Sequence, residues 1–314
     1  VIGLGAAYFA LQRDDIPYDV LQQRYANSAS RFVDLPGGFH VHYRDQGNGL
    51  GPTLLLLHGF GSSLETWEPW VTRLGNRYRL VSVDWPGHGL TQAQQFDPSV
   101  RANVEFVAAF SAALHLSNVI VVGNSLGGAV AWNLALQHPQ NIAGLVLVDA
   151  SGWEWSTASA QPIWLFKIIG SSALRKIDKT AFVRETLLLA YFDKSQVTTD
   201  MVQRFVDLSR APGHRDILDK MLVQTATGDD ADVQATDAKL ANIRIPTLIQ
   251  WGANDQMVDP AGASKFDHAI SKSTVITYPN TGHVPMEEAA TRSAADLDSW
   301  IARTFPNLGF AATQ

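Results

Sequence analysis

The 314-residue chain contains no cysteine. That excludes a disulfide framework, a thiolate nucleophile and any Cys-ligated zinc, and it is compatible with either a reducing or an oxidising compartment. Charge is also sparse: 17% of residues are charged, the formal net charge is −6, and no Lys/Arg-rich run occurs. A phosphate backbone needs a basic face, so a nucleic acid is excluded as a partner. No internal repeat and no low-complexity linker interrupts the chain. Nor does any apolar run reach the roughly 20 residues that a membrane-spanning helix needs. The most apolar opening, Val1 to Leu11, leaves two readings: the tail of a signal peptide or membrane anchor, with membrane association, or an amphipathic helix packed on the core. The compartment stays open with it: cytoplasmic, or membrane-anchored or periplasmic. Gly3-x-Gly5 has neither a preceding strand nor a third glycine, so it is no dinucleotide fingerprint.

What the chain does have is 46% hydrophobic residues, enough for a large buried core. The segment from Ile16 to Ala26 reads as an exposed helix or a wrapping segment. Residues Ser30 to Leu35 and Phe39 to Arg44 alternate with period two around Pro36-Gly37-Gly38, an antiparallel hairpin. His40 and His42 share one face of it, but a metal site needs three or four ligands and none is near in sequence, so they are read as exposed polar residues. Solid apolar runs then follow at Thr53 to Leu57, Tyr78 to Val83, Val119 to Val122, Gly144 to Val148, Pro246 to Trp251 and Thr274 to Tyr278. Alternating with helical patterns such as Arg101 to Leu114, they predict a parallel sheet covered on both faces, with the ligand site at the carboxyl ends of its strands. Between about Trp153 and Thr236 that rhythm stops, and only helical patterns appear: Pro162 to Ile177, Ala181 to Phe192, Thr199 to Arg210 and Gly213 to Thr227. Aromatic residues crowd this insertion, and a lid over an apolar pocket is expected. Leu297, Trp300 and Ile301 share one face of a closing C-terminal helix.

The sharpest signal is Gly123-Asn124-Ser125-Leu126-Gly127, set between a β-branched strand and an Ala-rich helix. In that context Gly-x-Ser-x-Gly is a strained turn that presents the serine hydroxyl at the strand's carboxyl end. A serine is a poor nucleophile near neutral pH and needs an imidazole base, which needs a carboxylate to hold its tautomer. Asp255 and His283 each lie in a loop at the same sheet edge. Either one alone reads as a turn residue; together, in the order Ser, Asp, His, they form a catalytic constellation. The glycine-rich His58-Gly59-Phe60-Gly61 loop can aim a backbone N–H at a developing oxyanion, with Phe60 as the candidate donor. His88, flanked by Pro86, Gly87 and Gly89, reads as a structural corner.

With these motifs in place the chain resembles the α/β-hydrolase fold family from Ser30 to about Phe305. The motifs that carry the likeness are His58-Gly59-Phe60-Gly61, Asp84-x-Pro86-Gly87-x-Gly89, Gly123-x-Ser125-x-Gly127-Gly128, Gly252-x-x-Asp255 and Gly282-His283. The resemblance implies a mostly parallel eight-stranded sheet flanked by helices, with an all-helical cap. It divides the chain into an N-terminal extension (1–27), a core (28–151 and 237–314) and the cap (152–236). It also implies Ser125 as nucleophile, His283 as base, Asp255 as acid, the N–H groups of Phe60 and Leu126 as the oxyanion hole, and no cofactor or metal. Serine at the elbow argues against the epoxide hydrolases and haloalkane dehalogenases, which use aspartate there. The expected activity is that of a serine carboxylesterase or lipase on small esters with apolar groups. A C–C bond hydrolase or perhydrolase on the same triad is the alternative, although Val284 stands where C–C hydrolases usually place tryptophan. From another class, a slow-turnover ligand receptor also fits.

Overall fold

The computed structural model describes residues 11–49, 51–93, 95–153, 175–227 and 230–306. The expected helix from Pro162 to Ile177 falls largely outside them, as does most of the apolar stretch from Val1 to Leu11. The first element described in full is α1 (Tyr18–Tyr25), followed by the hairpin β1 (Ser30–Leu35) and β2 (Phe39–Gly47). Next come β3 (Thr53–Leu57), a 3₁₀ turn (Leu64–Trp67) leading into α2 (Glu68–Leu74), β4 (Arg79–Val83), α3 (Val100–Ala113), β5 (Val119–Asn124), α4 (Leu126–Gln137) and β6 (Ile142–Val148). Between β6 and β7 lie α5 (Thr180–Ala190), α6 (Thr199–Ser209), α7 (His214–Thr227) and the short α8 (Asp237–Leu240). The chain then returns to β7 (Thr247–Gly252), α9 (Ala261–Ala269), β8 (Ser273–Tyr278), α10 (Pro285–Glu288) and α11 (Ala290–Thr304). Among the described residues no helix is long and apolar enough to cross a membrane.

The eight strands form one sheet in the order β1-β2-β4-β3-β5-β6-β7-β8. β1 pairs antiparallel with β2, and β2 antiparallel with β4. Every other pairing is parallel. The continuous apolar runs sort by the two-residue period of a strand into two cores, one on each face. Leu55, Leu57, Val121, Leu145 and Leu147 face one core with α3, α4 and α9; Leu54, Leu56, Ile120, Val122, Val146 and Val148 face the other with α2 and α11. Each such side chain contributes about 1.5–3 kcal/mol on burial, which is why the central strands set the frame. Ser99 caps α3 by accepting from the Ala102 N–H at 3.1 Å.

One reading of the hairpin is corrected. His42 is not an exposed polar residue: it is 2% exposed and approaches Asp84 Oδ2 through Nδ1 at 2.7 Å and Ser30 Oγ through Nε2 at 2.8 Å. β2 is covered on that side by the loop after β4, which a strand pattern alone does not reveal. His40 remains on the outer part of the hairpin, paired with Asp34 at 2.6 Å.

Candidate active site

The parallel strands end at one edge, and every candidate residue sits in a loop there. β5 is fully buried and hands over to α4 at Ser125, whose backbone stands at φ 55°, ψ −120°. That conformation is strained for a residue with a side chain, and the surroundings enforce it. A Cβ on Gly123 would collide with the Gly127 carbonyl, and one on Gly127 with the Leu57 and His58 carbonyls. Only glycine lets strand, helix and neighbouring loop approach so closely. The Ser125 N–H is tied to the Val148 carbonyl at 3.1 Å, and its carbonyl accepts from Gly128 and Ser151 at 2.9 Å each. Its hydroxyl makes no capping hydrogen bond with α4, so the side chain is left for other work.

Asp255 and His283 are 7% and 6% exposed. His283 Nδ1 lies 2.8 Å from Asp255 Oδ2. Asp255 Oδ1 accepts the Met257 and Val258 N–H groups at 2.7 and 3.1 Å, so the side chain is fixed with its other oxygen facing the imidazole. The Nδ1–H of His283 is thereby committed to Asp255, and Nε2 is the nitrogen free to accept a proton. Asn124 joins the elbow to this pair: its Nδ2 donates to the His283 carbonyl and to the Val148 carbonyl, each at 3.1 Å.

The loop after β3 lies against the elbow, since a Cβ on Gly59 would stand 3.1 Å from Ser125 Cβ. Within it the Ser62 N–H turns back to the Gly59 carbonyl at 3.3 Å, and the Gly61 N–H donates to His88 Nε2 at 3.0 Å. Those two amides are spent internally. Leu126 is the first residue of α4, a position whose N–H has no acceptor in a preceding turn of the helix. The Phe60 side chain is 37% exposed.

A match to the alpha/beta hydrolase fold model extends over residues 52–290. The chain belongs to this family. Among its relatives, bovine monoacylglycerol lipase ABHD6 is 30% identical over 258 residues, covering 80% of this chain and 75% of that protein. The 2-hydroxy-6-oxo-6-phenylhexa-2,4-dienoate hydrolase of Burkholderia cepacia is 26% identical over 271 residues, covering 82% and 91%. Among solved structures, the meta-cleavage product hydrolase CumD of Pseudomonas fluorescens IP01 superposes with a TM-score of 0.75 at 21% identity, covering 87% of this chain and 97% of that one.

Three residues at the edge of this hydrolase-fold sheet were not singled out as site residues by their sequence signals. Asn124 occupies the variable position of Gly-x-Ser-x-Gly, and adjacency to the serine was its only mark. His88 is 2% exposed; burial and the neighbouring His58 hold its pKa well below the ordinary histidine value. It is therefore neutral, with Nδ1–H donating to the Pro86 carbonyl at 3.2 Å and Nε2 accepting from Gly61. Asp149, just beyond β6, is fully buried at φ 45°. Burial first, and then the charge of Asp255, push its pKa well above the usual carboxylate range. Asp149, Asp255 and His283 offer donor atoms within 4.8 Å of one another, spacing that a metal ion can use. Asp255 already accepts three N–H donors and Asp149 accepts the Gly252 N–H at 2.9 Å, which suits a hydrogen-bonded relay better than a cation site.

Proposed function

We propose that this hydrolase-fold protein is a serine ester hydrolase of the carboxylesterase and lipase type, working through an acyl-enzyme on Ser125. The observation that carries the reading is a serine on a strained elbow, its hydroxyl not spent on capping, joined through Asn124 to a buried His283–Asp255 pair. In this reading His283 Nε2 takes the hydroxyl proton as Ser125 Oγ attacks the ester carbonyl. The N–H groups of Phe60 and Leu126 receive the oxyanion, and Asp255 stabilises the imidazolium. His283 then gives the proton to the leaving alcohol as the C–O bond breaks. Water, deprotonated by the same imidazole, attacks the acyl group, and loss of the acid restores Ser125.

The segment 152–236 acts as the cap over this site, and residues 28–151 with 237–314 as the catalytic core. Apolar residues of the inserted helices and the low charge of the chain support esters with apolar acyl or alkyl groups, in keeping with the name of the monoacylglycerol lipase relative. The test is a series of chromogenic esters of increasing acyl length on wild type and Ser125→Ala. The variant is expected to lose covalent turnover, keeping no more than the roughly 10³ to 10⁴-fold advantage over water that binding and oxyanion stabilisation supply. Unchanged hydrolysis by Ser125→Ala rules the assignment out. C–C bond hydrolysis is the second reading, favoured by the likeness to the Burkholderia cepacia enzyme. Cleavage of a vinylogous diketone faster than the best ester in the series would put it first.

A further inference from the structure

Asp149 is a buried carboxyl that the mechanism above leaves unused. It sits beyond β6, facing the ends of β7 and β8. Its N–H donates to the Gln250 carbonyl at 3.0 Å, and its Oδ1 accepts the Gly252 N–H at 2.9 Å, so the side chain is held from both ends. The other oxygen, Oδ2, is buried and meets no donor among the described residues. The titratable groups facing this side chain are Asp255 and His283, then Glu288 on α10 and Tyr278 at the end of β8. Among these there is no Lys or Arg. Two carboxylates so close in a water-poor site, with no cation between them, cannot both ionise. The donors decide which one holds the charge: Asp255 receives two backbone N–H groups and His283 Nδ1–H, whereas Asp149 receives one N–H.

We propose that Asp149 is a positioning residue for the reaction: it stays protonated and donates its carboxyl O–H to Asp255, fixing the carboxylate that faces His283. The proposal rests on the reading of Asp255 and His283 as acid and base. No proton leaves Asp149 during turnover. Its O–H adds a donor to Asp255, which both orients that carboxylate and makes it less basic, so that Asp255 stabilises the imidazolium without taking its proton. Burial and the adjacent Asp255 charge favour the neutral form of Asp149.

The experiment is the pH dependence of kcat/KM for a chromogenic ester, on the full chain, for wild type, Asp149→Asn, Asp149→Ala and Ser125→Ala. The acidic limb reports the His283 imidazole in the free enzyme. Asp149→Asn replaces a neutral donor by a neutral donor, and the amide oxygen still serves Gly252. It is expected to keep kcat/KM within about threefold of wild type, with the acidic limb unmoved. Asp149→Ala removes the donor, leaves Asp255 more basic and so raises the imidazole pKa. Its kcat falls about tenfold, and its acidic limb shifts to higher pH.

An ionised Asp149 gives the opposite sign: it would already stabilise the imidazolium, so Asp149→Asn would shift the limb to lower pH by about one unit. That shift overturns the proposal. So does an Asp149→Asn enzyme as impaired as Asp149→Ala, or an Asp149→Ala enzyme with the wild-type kcat and limb. Should Asp149→Ala fail to fold, the direction of the Asp149→Asn limb still decides. Turnover that survives Ser125→Ala overturns the reading of the site itself, which the Asp149 variants alone would not do.

Discussion

At the scale of single residues, His88 shows how a side chain outside the proposed triad can hold the loop beside it. The Gly61 N–H lies within the proposed oxyanion loop and donates to a histidine that burial keeps neutral. His88→Phe keeps an aromatic ring, though a larger one, but removes the acceptor, leaving the amide unpaired at a cost of about 1–3 kcal/mol. The loop should then relax, and kcat should fall while the acidic limb of the pH profile stays in place, because His283 is untouched. Urea unfolding with ester kinetics checks both halves; wild-type stability would show that the bond carries no weight. The residues that sequence revealed and those it hid divide along a physical line. Ser125, Asp255 and His283 stand out in the sequence because each proposed role comes with a local motif and the three come in a recognisable order. Asn124 reaches the carbonyl of a residue 159 positions away, and Asp149 accepts from the N–H of a residue 103 positions downstream. Nothing in the local pattern encodes such partners.

At the scale of elements, the apolar runs made the central strands legible because burial on both faces leaves little room for polar residues, Ser82, Thr247 and Gln250 being the buried exceptions in β4 and β7. The ends of α5, α6 and α7 were legible to within a residue or two, whereas the helix expected to run to Ile177 does not reach it, Ile177 pairing instead with Gln12 in a β-bridge; α6 runs Thr199–Ser209 where the pattern ran from Thr199 to Arg210, starting at the Thr198 cap, whose hydroxyl accepts from Met201 N–H. What no periodicity could show is the tie between α5 and the His283 loop. The His283 N–H donates to the Ala190 carbonyl at 2.7 Å, and Tyr191 O–H to Glu287 at 2.7 Å. Glu288 accepts from the Gly282 N–H at 2.6 Å and from the Asp193 N–H at 2.9 Å. One carboxylate thus holds both the loop of the proposed base and the chain leaving α5. Glu288→Ala removes two charge-assisted hydrogen bonds and is expected to cost about 1–3 kcal/mol, with a larger loss in kcat than in KM. Glu288→Gln keeps one acceptor and should lie between it and wild type. Thermal unfolding and steady-state kinetics on the pair provide the check, and an Ala variant indistinguishable from wild type would remove the tie from the account.

At the scale of the whole molecule, the segment expected either to be exposed or to wrap proves to be a strap. Ile16 and Leu21 are buried with Leu90 from the loop after β4 and with Leu208 and Ala211 at the end of α6, so one short stretch packs on the sheet side and on the inserted helices together. Polar contacts run the same way. Arg24 and Tyr25 both donate to Asp207 on α6, at 2.9 and 2.8 Å; Ile16 N–H donates to the Arg210 carbonyl at 2.9 Å; Arg215 pairs with Asp15. The anchor is Leu21, which is wholly buried. Truncating it removes apolar contact on both bodies at once, and Leu21→Ala should cost about 2–4 kcal/mol if the site cannot collapse around the void. The loss should not be shared evenly. β5 is held by both cores of the sheet, whereas α6 meets one of them through Val202 and Val206 and meets the strap through Leu208, so local opening should become cheaper in α6 first. Amide hydrogen exchange should therefore show protection falling across Val202 to Ser209 in Leu21→Ala, while Val119 to Asn124 exchange as in wild type. A loss confined to α1 would mean that the strap rests on the inserted helices without holding them, and a uniform loss along the chain would mean that they do not open as a separate unit.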